Sequence, residues 1–258
     1  MLIDSHAHLA GEKFDADRGP MLQRAWAAGV THVVVIGDLT NAARDMARTD
    51  PLRLSFTAGV HPHEAHLFQQ ERDMPVLRRL VSEGAVAVGE CGLDYYYDHS
   101  PRALQVEAFQ RQLDLAVETA LPVVVHTRQA EDDTARMLDA AAARGVRGVL
   151  HCFTGSPELA RRAIDAGWCL SISGIATFRT WDRDDVVAMI PDAQLLVETD
   201  APYLAPVPNR GKRNESSFLP ATVERLAVVR GTTADALATL TATNAIRFFR
   251  LPIPSPLP

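Results

Sequence analysis

Nine histidines and 32 acidic residues occur in this chain of 258, and six short segments bring the two types together in a pattern that suits divalent cations. These are Asp4-Ser5-His6-Ala7-His8, Gly59-Val60-His61-Pro62-His63, Gly89-Glu90-Cys91-Gly92-Leu93-Asp94, Val125-His126-Thr127-Arg128, Leu150-His151-Cys152-Phe153 and Val197-Glu198-Thr199-Asp200. Side chains alternate along an extended backbone, so His6 and His8 face the same way and can share one ion. Imidazole and carboxylate ligands suit several divalent metals, and a carboxylate with two oxygens can bridge a pair of ions about 3.5–4 Å apart, as two-metal hydrolases need. Glu90 is the natural bridge, because the only lysines, Lys13 and Lys212, follow none of the apolar runs described next. Asp200 follows such a run, and a cation beside it would keep it ionised, able both to ligate and to take a proton from water.

Eight short runs rich in β-branched residues must carry these groups: residues 2–5, 32–36, 55–60, 86–89, 122–125, 148–150, 169–173 and 194–198. Between them lie segments with helical spacing, including residues 101–120, 132–143, 157–166 and 184–189, several closed by a glycine such as Gly29, Gly145 or Gly167. This strand-then-helix alternation demands parallel strands with crossover helices. Runs apolar at nearly every position, such as Val33-Val34-Val35-Ile36, fit strands buried on both faces. The fold class is α/β, and eight such units predict a single (β/α)8 barrel of the TIM type, with the last helices from residues 221–230 and 234–249. An open doubly wound sheet is the alternative. All six chemical segments then fall at the carboxyl ends of strands, where barrel enzymes assemble their sites.

No repeat, low-complexity block or linker marks a boundary, so residues 1–258 read as one domain. The Pro-rich stretch 252–258 cannot continue a helix and is expected to be an extended tail. Residues 201–219 lack periodicity and predict a long loop after the eighth strand. Within it, Asn209-Arg210-Gly211-Lys212-Arg213-Asn214-Glu215 gathers three cations in four residues, a composition suited to gripping phosphate. Arg128, two residues beyond His126, could join them.

A net charge of −6 argues against a broad basic surface but leaves room for a polyanionic substrate if bound cations supply the local charge. Three cysteines without a C-x-x-C pair fit neither a disulfide framework nor a zinc knuckle, and Cys91 and Cys152 are expected on the face opposite the ligands, in the core. No membrane span is expected. Asp4, His6 and His8 stand where a signal peptide would need apolar residues, which predicts a cytoplasmic protein.

These segments resemble the TatD-type metal-dependent deoxyribonucleases, in the amidohydrolase-like group of barrels. The likeness covers nearly the whole chain and rests on the six segments above, extended by Thr154-Gly155 and by Ala201-Pro202-Tyr203, together with Arg210-Gly211-Lys212-Arg213-Asn214-Glu215, all in family order. It implies a barrel that hydrolyses phosphodiester bonds in DNA, with His6, His8, Glu90 and Asp200 around one metal and Glu90, His126 and His151 around another. It also implies Mg²⁺ as the expected ion, Mn²⁺ or Zn²⁺ as alternatives, and 3′-to-5′ action on single strands or ends by a monomer. His61 and His63 are read as contacts to the substrate phosphate or to a further ion, and Arg128, Lys212, Arg213 and Asn214 as substrate contacts. Tyr95-Tyr96-Tyr97 and Ser216-Ser217 bear on substrate preference rather than metal chemistry. Two other readings stand beside the nuclease: a hydrolase of small amides or lactones on the same scaffold, and a catalytically idle barrel serving as an interaction module. The basic late loop disfavours the first of these, and the full set of ligand types disfavours the second.

Overall fold

The structure, a computed structural model, describes residues 1–253, so the expected tail lies outside the described residues from residue 254 on. Strands β1 (Leu2–Ala7), β2 (Val30–Val35) and β3 (Leu54–Phe56) form one parallel sheet. Strands β4 (Val88–Asp94), β5 (Val123–Arg128), β6 (Gly148–Leu150), β7 (Cys169–Ile172) and β8 (Leu195–Val197) form another. Single bridges at Ala7–Ala201 and Ala58–Val88 join the two sheets at both seams and close the (β/α)8 barrel. The sequential strand order and this closure exclude the open doubly wound sheet.

Helices α1 (Arg18–Ala27), α2 (Ala42–Thr49), α3 (Gln70–Ser82), α4 (Arg102–Thr119), α5 (Glu131–Ala143), α6 (Pro157–Asp165), α7 (Asp184–Met189), α8 (Leu219–Arg230) and α9 (Ala234–Phe249) lie between and after the strands. Local chemistry explains several boundaries. Ser156 accepts a bond from the Leu159 N–H ahead of Pro157 and so starts α6, and Thr233 does the same for Ala236 at the start of α9. Gly231, in the left-handed region at φ 63°, ends α8.

Two apolar layers follow from strand alternation. Val33, Val35, Val123, Val125 and Leu195 belong to the large cluster shared with the helices. Ile3, Val34, Ala87, Val124, Val149, Cys169 and Leu196 belong to a second cluster with the apolar face of α9. This second set faces the barrel interior: Ser5 Oγ lies 3.2 Å from Ser171 Oγ even though β8 separates β1 from β7. Moving two residues along from Val124, Val149 and Leu196 reaches His126, His151 and Glu198, so the interior turns from apolar to polar toward the carboxyl ends.

Two of the expected strands shift most. The third is shorter than residues 55–60, and the fourth reaches Asp94 rather than stopping at residue 89. Backbones approach closely on both sides of β4. A Cβ on Gly59 would sit 2.5 Å from Gly89, and one on Gly92, whose φ is 126°, would sit 2.1 Å from the His126 carbonyl oxygen. Glycine on both sides of Glu90 lets β4 press against its neighbours and carry that carboxylate into the mouth.

Candidate metal centre

Glu90 stands in the middle of the mouth, only 3 % exposed, and its two oxygens face different imidazoles. Oε2 lies 3.3 Å from Nε2 of both His6 and His8. Oε1 lies 2.8 Å from His151 Nε2, 3.2 Å from His61 Nε2 and 3.3 Å from His126 Nδ1. Asp200 Oδ1 joins the first set, 3.7 Å from His6 Nε2 and 3.5 Å from His8 Nε2. Ligand atoms of His6, His8 and Glu90 lie within 4.8 Å of one another, as do those of His6, His151 and Asp200, of Glu90, His126 and His151, and of His61, His63 and His126.

The donor set fits divalent ions. Among the described residues buried Glu90 Oε2 and His151 Nε2 make no hydrogen bond of good geometry despite the contacts just given, and His6 Nε2 faces His8 Nε2 across 3.2 Å. Buried polar atoms are normally satisfied. Lone pairs that converge without donors are what a cation occupies.

Further carboxylates aim the imidazoles. His126 Nε2 lies 2.9 Å from Asp94 Oδ2, and His151 Nδ1 lies 3.3 Å from Glu198 Oε1. Each carboxylate takes the N–H of its imidazole and turns the lone pair of the opposite nitrogen toward Glu90. Asp94 Oδ2 also accepts from His63 Nε2 at 2.9 Å, while Oδ1 accepts the N–H groups of Tyr96 at 3.0 Å and Tyr97 at 2.9 Å. Glu198 accepts the Cys152 N–H at 2.6 Å. Asp4 Oδ2 accepts from Thr199 and Ser216 hydroxyls, each at 2.6 Å, and so ties β1 to the turn that carries Asp200. His61 differs from its neighbours: its Nδ1 accepts the His63 N–H at 3.1 Å, so Nε2 carries the proton and presents a donor.

Electrostatics follow from this packing. Burial would raise the Glu90 carboxyl, but His151, His61, His6 and His126 outweigh it and hold the group well below the usual carboxylate range. Burial acts the same way on Asp200, and His8, His6 and His151 reverse it. Burial would lower His8, yet Asp200 and Glu90 push it up to about 9. His151 likewise rises well above the ordinary imidazole value because Glu90 and Glu198 overcome its burial.

The structure thus brings His6, His8, Glu90, His126, His151 and Asp200 to one point, with His61 and His63 beside them. Arg128 lies at the junction of two cavities, about 610 and about 650 Å3, which also share His126, His151, Asp200 and Leu204. The late loop departs from expectation. Asn214 is fully buried: its Nδ2 donates to the Thr199 and Tyr203 carbonyls at 2.8 and 2.6 Å, and its Oδ1 accepts the Glu215 N–H at 2.9 Å. Its expected role as a substrate contact is therefore corrected to that of a clasp within the loop. Arg213 turns to Asp17, at 2.7 and 2.8 Å, and to the Lys13 carbonyl at 2.7 Å. Among the described residues Lys212 reaches only Asn209 Oδ1, at 3.0 Å, and neither cation lines the two cavities. Cys91 is buried as expected, but Cys152, with φ 43°, departs from strand alternation and lines the smaller cavity. Burial, Asp200 and Glu198 raise its thiol well above the usual range, which keeps it a poor nucleophile.

Sequence reasoning left Asp94, Glu198 and Asp4 without roles, although all three lay in the segments it singled out. The available signal was spacing, since Glu198 and Asp4 each precede a proposed ligand by two residues and share its strand parity.

A closed parallel barrel with imidazoles and carboxylates gathered at its carboxyl rim defines a metal-dependent hydrolase. A family model described as TatD related DNase matches residues 3–250, and the chain belongs to that family. It is 40 % identical over 255 residues to YabD of Bacillus subtilis strain 168, an uncharacterized metal-dependent hydrolase, covering 97 % of this chain and 100 % of that one. It is 37 % identical over 262 residues to the 3′-5′ ssDNA/RNA exonuclease TatD of Erwinia billingiae, covering 97 % and 100 %. The crystal structure of YJJV, a TatD homolog from Escherichia coli K12, superposes with a TM-score of 0.89 at 30 % identity, covering 97 % and 98 %.

Proposed function

We propose that this hydrolase cleaves phosphodiester bonds in DNA, as a 3′-to-5′ exodeoxyribonuclease acting as a monomer on single strands or ends. The observation that carries the reading is Glu90, whose two oxygens serve two separate groups of imidazoles. His6, His8, Glu90 and Asp200 would hold one divalent ion, and Glu90, His126 and His151 a second, with Mg²⁺ preferred and Mn²⁺ or Zn²⁺ as substitutes. Such ions, when bound, supply Lewis acidity and an activated water.

The side chains have separable tasks. Glu90 and Asp200 stay ionised because imidazoles crowd them, so Asp200 is ready to take a proton at Oδ1 or Oδ2. His61 Nε2–H faces the same space as a hydrogen-bond donor for a phosphate oxygen. Arg128 has its guanidinium at the mouth, placed for forked contact with phosphate. The cations at the rim favour a charged substrate over a small neutral amide or lactone. The exonuclease name carried by the Erwinia relative supports the same choice.

The test is to incubate metal-stripped protein with labelled single-stranded and duplex DNA under a series of added cations and to follow which end shortens. Shortening from the 3′ end that depends on added cation, and is lost in Glu90→Ala with the fold retained, is the expected result. A fully active Glu90→Ala protein refutes the assignment.

A further inference from the structure

Tyr95, Tyr96 and Tyr97 follow Asp94 directly and divide into two roles. Tyr95 is an anchor: its hydroxyl donates to Asp133 at 2.7 Å, and Arg102 lies over its ring at 4.4 Å. Tyr96 and Tyr97 are instead displayed, 51 % and 50 % exposed, with rings edge to face at 4.8 Å. Their backbone is held all the same, because both N–H groups donate to Asp94, the carboxylate that also orients His63 and His126. Tyr97 lies parallel to His99 at 5.5 Å and stands edge-on to His63 at 5.5 Å.

Arg128 completes this surface. Its guanidinium lies 4.2 Å from the Tyr96 ring centre and 5.0 Å from that of Tyr97. Across the mouth Lys13 sits 4.6 Å from the ring centre of Tyr203, which is 51 % exposed and packs edge-on to His8. Among the described residues neither cation is paired with a carboxylate. The cavity that holds the metal ligands is lined by Tyr97, His99, Arg128 and Tyr203 together. Rigid aromatic faces with unneutralised cations beside them are the surface on which unpaired bases stack while their phosphates are held. A paired duplex keeps its interior base faces covered and offers such rings only its terminal pairs, whereas every base of a single strand can present a face.

We propose that Tyr96, Tyr97 and Arg128 form a stacking platform that grips a nucleobase of a single strand whose neighbouring phosphate lies at the metal centre. This rests on the nuclease reading and adds to it the feature of substrate being recognised, the exposed face of a base. Asp94 makes the link mechanical, since one carboxylate sets both the ligand imidazole and the platform backbone.

The experiment measures equilibrium binding of the metal-loaded protein at fixed salt to two probes about ten nucleotides long, matched to common single-strand site sizes. One is phosphorothioate oligothymidine and the other a phosphorothioate chain of tetrahydrofuran spacers with no bases. Stacking of one base predicts that the wild type prefers the base-bearing probe by about tenfold. The double variant Tyr96→Leu/Tyr97→Leu should collapse that ratio toward one, whereas Tyr97→Phe, which keeps the ring, should retain it. A ratio that persists in the leucine double variant, or is absent in the wild type although both probes bind, overturns the platform and leaves the nuclease reading standing. A wild type that binds neither probe and cleaves no DNA overturns both.

Discussion

Replacing Asp94 with asparagine changes no bulk and removes no ligand, yet it should weaken ion binding. Asp94 accepts four hydrogen bonds: two from the Tyr96 and Tyr97 amides on Oδ1, and two from His63 and His126 on Oδ2 at 2.9 Å. An asparagine can keep its oxygen on the amides, but then its NH2 faces two imidazole N–H donors at that same distance. His126 can resolve the clash only by moving its proton to Nδ1. That is the atom turned toward Glu90 Oε1 at 3.3 Å, so the lone pair offered to an ion is lost. A hydrogen bond to a charged group is worth about 1.5–3 kcal/mol, and loss of such a supporting partner typically weakens metal binding by about 10–100-fold. Asp94→Asn should therefore bind Mn²⁺ about 10–100-fold more weakly, read by calorimetry or chelator competition, with an unchanged circular dichroism spectrum. A dissociation constant within about threefold of the wild type would show that Asp94 does not set the His126 tautomer and refute the reasoning.

Other perturbations have equally direct outcomes. His8, raised to about 9, holds a proton in the ion-free protein at neutral pH that a cation must displace. Mn²⁺ affinity should then increase as pH rises toward that value, with proton release detectable in buffers of different ionisation enthalpy, and a flat profile would contradict the placement of His8. By the same sign, the stability His8 adds to the ion-free fold is full below 6.5 and is lost as pH rises through about 9. Arg128→Gln should reduce the salt slope of single-strand binding by about 0.7, one phosphate contact, whereas Lys212→Ala should leave it unmoved; the reverse pattern would return phosphate capture to the late loop. Gly92→Ala forces a Cβ 2.1 Å from the His126 carbonyl at a φ of 126° and should cost about 2–4 kcal/mol in thermal or denaturant unfolding. An unchanged midpoint would mean that β4 and β5 are free to separate there.

What the sequence disclosed and what it withheld divide along a physical line. The strand-then-helix rhythm and the convergence of His6, His8, Glu90, His126, His151 and Asp200 rest on local periodicity and on one topological rule for barrels, so both were legible. The late loop was not. Asn209 to Glu215 reads as a free cationic grip until Asp17 and Arg24, nearly two hundred residues distant, are seen to claim Arg213 and Glu215. Nor could residue type alone separate the carboxylates that face ions from those that brace imidazoles. Register decides this: β4 and β5 pair Gly92 with His126 and Asp94 with Arg128. Asp94 is thereby carried past the ion space to the far nitrogen of His126, and Glu90, four residues earlier on a strand freed by glycines, reaches the near one. Two acids of similar chemistry thus act on opposite sides of one imidazole.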